Sequence, residues 1–257
     1  MADTDLDRLL TVTRDQGTDP DLAWKAGLAA VELLLWHDEP VEAGNLAEEV
    51  LGRFAATCRG LVTELSPLVD AIVVASVRDQ QDPANGVTRI ADMIPADSVL
   101  ARHLQWMAER LPDRDPFEFC ANAQWHRPPR PLRPREAAFA DRDPTTLEPA
   151  ERDRLWKAAH HSGQFPVARR LWDATGEAPP RAEIATWMAG HMAHDEELAA
   201  ATLLLQQAAD MWRPSLTWDV VPYEFMIQPL LRAAVTDELH AAITARVDLS
   251  PILEADQ

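Results

Sequence analysis

The sequence predicts an all-α protein of stacked antiparallel helical hairpins, with a non-repeat α-helical bundle as the alternative. Three observations predict it. Alanine and leucine abound against one tyrosine and nine glycines, and Ala and Leu are strong helix formers. Apolar residues recur at three- and four-residue spacing in segment after segment. Prolines also follow Ser, Thr or Asp at the heads of these segments, where a helix tolerates proline and needs a cap.

The elements follow in order. Thr18 is placed to cap a helix with Pro20 in its first turn, running to about His37, in which Leu28, Val31, Leu34 and Leu35 share a face. In "HDEPVEAGNLAEEVLGRFAAT" Asp38 is placed to cap and Pro40 enters the first turn, with acids crowding the positive end of the helix dipole. Ser66-Pro67 opens "LVDAIVVASV", whose β-branched residues suit a strand. With no partner strands nearby, helix is the assignment. Further helices are expected near 84–94, 97–111 and 116–126, then near 149–163, 166–175, 180–193, 195–212, 222–235 and 236–247.

Between these sets lies "HRPPRPLRPR", with four prolines and four arginines in ten residues. Proline removes a donor and clashes within a helix, so this stretch is expected to be extended. The organisation is therefore an N-terminal helical region at 1–126, a Pro/Arg-rich linker at 127–148 and a C-terminal helical region at 149–257. The linker reads as an ordered connector whose arginines meet the protein's own acids. A docking motif for a proline-recognising module is the other reading. Loop signals recur near residues 38, 80, 113, 163, 195 and 236, a spacing that suits stacked hairpins without a strict period.

Composition bounds the function. The chain has 257 residues, 47% of them hydrophobic, and a net charge of −18. That length supports one large domain or two small ones. The acidic balance excludes a non-specific nucleic-acid binder, which needs a basic footprint, and disfavours anionic membrane surfaces. The acidic N-terminus lacks a signal-peptide core, and no apolar run reaches the length of a membrane span, so a cytoplasmic protein is expected. Lys25 and Lys157 are the only lysines, while arginine and alanine are plentiful, a pattern that looks like the coding bias of a GC-rich bacterial genome. Cys58 and Cys120 form no CxxC and read as reduced thiols.

The segment "LWKAAHHSGQFPVARRLWDATGEAPP" resembles a tetratricopeptide repeat, clearest over residues 149–182. Leu155 matches the leucine of the first helix, Gly163 supplies the turn, and Phe165 packs beneath it. Ala168 and Trp172 match the small and aromatic positions of the second helix, and Pro180 closes the unit. Arg152, Trp156 and Ala159 depart from the usual tryptophan, glycine and aromatic. Ala200 and Leu204 repeat the Ala168–Trp172 spacing one unit later. The resemblance implies a groove lined by first helices that binds a peptide or protein partner. In this register Asp153, Lys157, His160 and His161 lie on or near that groove.

Chemical signatures are sparse. Adjacent helical histidines point about 100° apart, so His160 and His161 hardly chelate one ion together. His191 and His194 share a face beside Asp195, but the spacing lacks the HExxH pattern, and Asp195 reads more simply as an N-cap. GxSxG, GxGxxG and the phosphate-binding loop are absent. No catalytic residue, metal or cofactor is therefore assigned. Nine tryptophans are expected at helix junctions. "ADMWRPSLTWDVVPYEFM" offers a possible aromatic pocket of Trp212, Arg213, Trp218, Asp219 and Tyr223. The expected function is a protein- or peptide-binding scaffold, adaptor or regulatory partner. The alternative is an α-helical enzyme with a pocket near His160/His161 or Trp212–Tyr223.

Overall fold

A computed structural model describes residues 2–54, 65–96, 98–113, 116–118, 129–214 and 216–254. Every regular element among them is helical. Cys58, Cys120 and most of the helix expected at 116–126 lie outside the described residues. The chain divides into two compact units. The first comprises Met1–Ala123, Pro214–Ile227 and Ala241–Gln257; the second comprises Gln124–Arg213 and Gln228–His240.

The first unit contains α1 (Ala2–Arg14), α2 (Pro20–Trp36), α3 (Pro40–Phe54), α4 (Ser66–Arg78), α5 (Pro83–Met93) and α6 (Val99–Ala108), each packed on its neighbour in sequence. Helix α2 is the spine. Its residues from Leu28 to Trp36 are all buried, because α1, α3 and α4 each pack against it; a helix enclosed this way must be apolar nearly all round. The run "LVDAIVVASV" is helical within α4, where tertiary burial outweighs β propensity. Asp19, rather than Thr18, caps α2, accepting the Asp21 and Leu22 N–H groups. Glycines set the helix spacing: a Cβ on Gly44 would lie 2.6 Å from the Ala75 Cβ, so α3 and α4 touch almost backbone to backbone.

The second unit contains α7 (Pro134–Ala140), α8 (Pro149–His161), α9 (Phe165–Thr175), α10 (Ala182–His194), α11 (Leu198–Met211) and α13 (Pro229–Arg232). Helix α8 opens on a capping box between Glu148 and Glu151 with Pro149 in the first turn. Helix α7 was not expected from so proline-rich a stretch. Its Pro134 occupies the first turn, the position a helix tolerates, and Arg154 holds Glu136 at 2.8 Å. The connector before it is pinned to the α8–α9 turn: the Arg130 N–H donates to the Ser162 carbonyl at 2.7 Å, and Gln164 Nε2 donates to the Arg130 carbonyl at 2.7 Å.

The single helix expected at 222–235 is broken into α12 (Glu224–Ile227), in the first unit, and α13, in the second. Pro229 forces extended backbone on Gln228, which ends the first helix. Helix α14 (Asp237–Thr244) and α15 (Ser250–Leu253) follow.

One turn geometry recurs four times, ending α2, α4, α8 and α10. Asp38, Gln80, Gly163 and Glu196 take left-handed φ of 61°, 54°, 64° and 63°. In each case the next residue's N–H reaches back five residues: Glu39 to Leu34, Gln81 to Ser76, Gln164 to Ala159 and Glu197 to Met192, at 2.8–2.9 Å. This is the Schellman arrangement, which satisfies carbonyls left over at a helix end. It corrects two expectations. Asp38 is the left-handed turn residue rather than the cap of α3, and Asp195 caps the end of α10 rather than the start of α11. Three of these turns lead straight into the next helix, making α2–α3, α8–α9 and α10–α11 hairpins of one design.

Candidate functional site

The groove residues inferred from sequence all lie on α8, in the second unit. Lys157 Nζ bonds Asp153 Oδ2 at 2.6 Å, one helical turn back. Both side chains are partly accessible, and His161 is exposed. His160 is not. At 6% exposure it points into the unit, as expected when adjacent residues diverge around a helix. Of the four, Asp153, Lys157 and His161 have surface to offer a ligand.

His160 joins an aromatic cluster that the sequence did not reveal. Its ring centroid lies 5.3 Å from Trp187 of α10, edge-on, and 5.5 Å from His161. Trp187 also meets Phe165 at 6.2 Å and His191 at 5.2 Å, and Phe165 stacks on His191 at 4.4 Å. Five rings from α8, α9 and α10 thus form one packed group with His161 at its rim. The Trp187 indole N–H is buried with no hydrogen-bond partner among the described residues. Helical spacing reveals each face separately, but not which faces meet.

Arg152 bonds Glu177 through Nε at 2.8 Å and Nη2 at 2.7 Å, linking α8 to the residues after α9. Trp156 and Ala159 are both buried. Arg169 of α9 reaches Asp173 and Glu197, each at 2.8 Å, tying α9 to the α10–α11 turn. Hydrogen bonding to Glu197 and Asp173 raises its already high pKa.

His191 and His194, weighed above as a ligand pair beside Asp195, differ in surroundings. His191 stacks on Phe165, while His194 and Asp195 are exposed. No group of three or more His, Cys, Asp or Glu among the described residues is arranged to hold a metal ion.

The possible aromatic pocket falls in two units: Trp212 and Arg213 in the second, Trp218, Asp219 and Tyr223 in the first. Arg213 Nη1 bonds the Asp210 and Trp212 carbonyls at 2.9 and 2.6 Å. Within the first unit, Trp218 and Tyr223 are buried. The Tyr223 hydroxyl donates to Asp70 Oδ2 at 3.0 Å, and the Val220 N–H donates to Glu32 Oε2 at 2.9 Å. Burial drives the Glu32 carboxyl well above its ordinary pKa, with Asp219 and Glu224 adding to the rise. Burial also raises Tyr223, reinforced by Asp70.

The first unit also carries an open cleft of about 210 Å³ between α3, α4 and α5, lined by Asn45, Glu48, Ser76, Asp79, Gln81 and Arg89. Arg89 is engaged by Glu48 at 2.7 Å. The Ser76 hydroxyl donates to the Ile72 carbonyl. No helix among the described residues is long and apolar enough to cross a membrane.

Compared with family models, curated proteins and solved structures, the chain finds no match.

Proposed function

We propose that the protein is a protein- or peptide-binding scaffold or adaptor, and that its second unit is a short tetratricopeptide-like stack that receives the partner along α8. The observation that carries this reading is the division of α8 into two faces. Leu155, Trp156, Ala159 and His160 are buried, while Asp153, Lys157 and His161 leave an acid, a base and an imidazole accessible at successive turns. Such a row suits a polar or charged peptide, which needs fixed donors and acceptors more than a deep pocket.

Two features support the repeat character. Helix α8 packs on α9 and α10, and α10 packs on α9 and α11, the nearest-neighbour pattern of stacked hairpins. The α8–α9 and α10–α11 turns also share one hydrogen-bond scheme.

The test is affinity capture from the native host with wild type and a Lys157→Glu/His161→Ala variant. His160 is left intact because it is a packing residue. A partner held by wild type and at least tenfold depleted on the variant supports the reading. Equal recovery on both overturns the α8 assignment.

A further inference from the structure

We propose that residues 216–227 form a proton-dependent latch on the first unit, docked on α2 and α4 while Glu32 is protonated and loosened when Glu32 ionises. The segment is fastened at two points far apart in sequence. The Val220 N–H bonds Glu32 of α2 and the Tyr223 hydroxyl bonds Asp70 of α4. Between and beyond these pegs, Trp218, Val221, Phe225 and Ile227 are buried. The segment is therefore held by apolar packing and by two carboxyl groups.

Those two carboxyls are unusually deep: Glu32 is 1% exposed and Asp70 2%. Glu32 Oε1 has no hydrogen-bond partner among the described residues. A buried carboxylate needs several N–H donors or a cation to remain charged. Glu32 receives the Val220 N–H, with Val221 also acting in favour of the charged form. Against this stand burial and the nearby acids Asp219 and Glu224.

The other elements packed on α2 differ in what they bring. Asp70 comes from α4; Asp219, Tyr223 and Glu224 come from the segment itself. Among the residues whose burial is described, α1 buries Leu9 and Thr13, those of α3 are apolar or glycine, and α15 buries Ile252. Protonated Glu32 fits this site. Ionised Glu32 is stabilised chiefly by admitting water, which requires the segment to lift.

The direction of the pH effect follows. Undocked, Glu32 is relieved of burial and of the nearby Asp219 and Glu224, so it releases its proton at lower pH than when docked. Docking therefore takes up one proton over the interval between the two titrations, and its equilibrium constant falls up to about tenfold for each pH unit of increase.

The experiment is hydrogen exchange of the full chain from about pH 5 to about pH 9, corrected for the pH dependence of intrinsic exchange. The Val220 amide is followed, with Leu46 in α3 as an internal reference for global opening. In wild type, Val220 protection should fall as pH rises above the ordinary carboxylate range, by at most about tenfold per unit, while Leu46 protection holds. In Glu32→Gln, a neutral isostere that keeps an acceptor for Val220, protection should lose most of that pH dependence. A flat wild-type profile, or the same slope in Glu32→Gln, overturns the latch. Should Glu32→Gln fail to fold, Tyr223→Phe serves instead: with Glu32 intact it must keep the wild-type slope from a lower starting protection, and a flat profile there overturns the proposal.

Discussion

Helix α3 carries two glycines that should respond oppositely to the same substitution. A Cβ on Gly44 would stand 2.6 Å from the Ala75 Cβ and 3.4 Å from the Ala71 carbonyl oxygen. Carbon atoms prefer about 3.5–4.0 Å, so α3 and α4 must separate by roughly 1 Å or distort. Overpacking of this kind costs about 1–3 kcal/mol. Alanine's better helix propensity returns at most about 1 kcal/mol. Gly44→Ala should therefore destabilise the first unit by about 1–2 kcal/mol. At Gly52 a Cβ would meet nothing within 4 Å. There only the loss of unfolded-state freedom operates, and Gly52→Ala should stabilise by about 0.4–1 kcal/mol. Urea unfolding of both variants beside wild type measures the difference, and parallel thermal scans should separate the pair by several degrees. If Gly44→Ala equals or exceeds wild type in stability, the close α3–α4 crossing is refuted. If Gly52→Ala destabilises as much as Gly44→Ala, the cause is not the approach to Ala75.

Other consequences can be checked similarly. Trp187→Ala should cost about 3–5 kcal/mol in urea unfolding of the second unit, while Trp187→Phe should cost much less, because it also removes a buried donor lacking a partner among the described residues. Gly163→Ala should lose about 1 kcal/mol, whereas Glu196→Gly, which relieves a side chain at φ 63°, should be neutral or slightly stabilising. Bonding to Arg154 holds the Glu136 carboxyl below its ordinary range. This pair's contribution is thus present above the ordinary carboxylate value and lost as pH falls through the lowered one. Glu136→Gln should flatten that part of an acid-unfolding curve.

The helices were legible because propensity, proline placement and periodicity agree. The α8–α9 turn was legible because its left-handed residue is Gly163. Its three counterparts use Asp38, Gln80 and Glu196, and none of these residues announces a left-handed turn as glycine does. Their common design was hidden for that reason. Within α8, the resemblance put both His160 and His161 on or near the groove, while burial distinguishes them: His160 is buried and His161 exposed. The ring cluster at Trp187 and the contacts of Glu32 with Val220 and Tyr223 with Asp70 depend on chain segments that pack only in three dimensions. Hydrophobic period identifies a buried face, yet it carries no information about which residue lies opposite.

The binding role proposed for α8 is tested most directly by photocrosslinking in the native host, with a photoreactive side chain at position 161 and, separately, at position 52 as an exposed control. The account predicts one discrete crosslinked partner from position 161, absent from position 52 and lost when Lys157→Glu is added. No discrete product from position 161, or the same product from both positions, would contradict it.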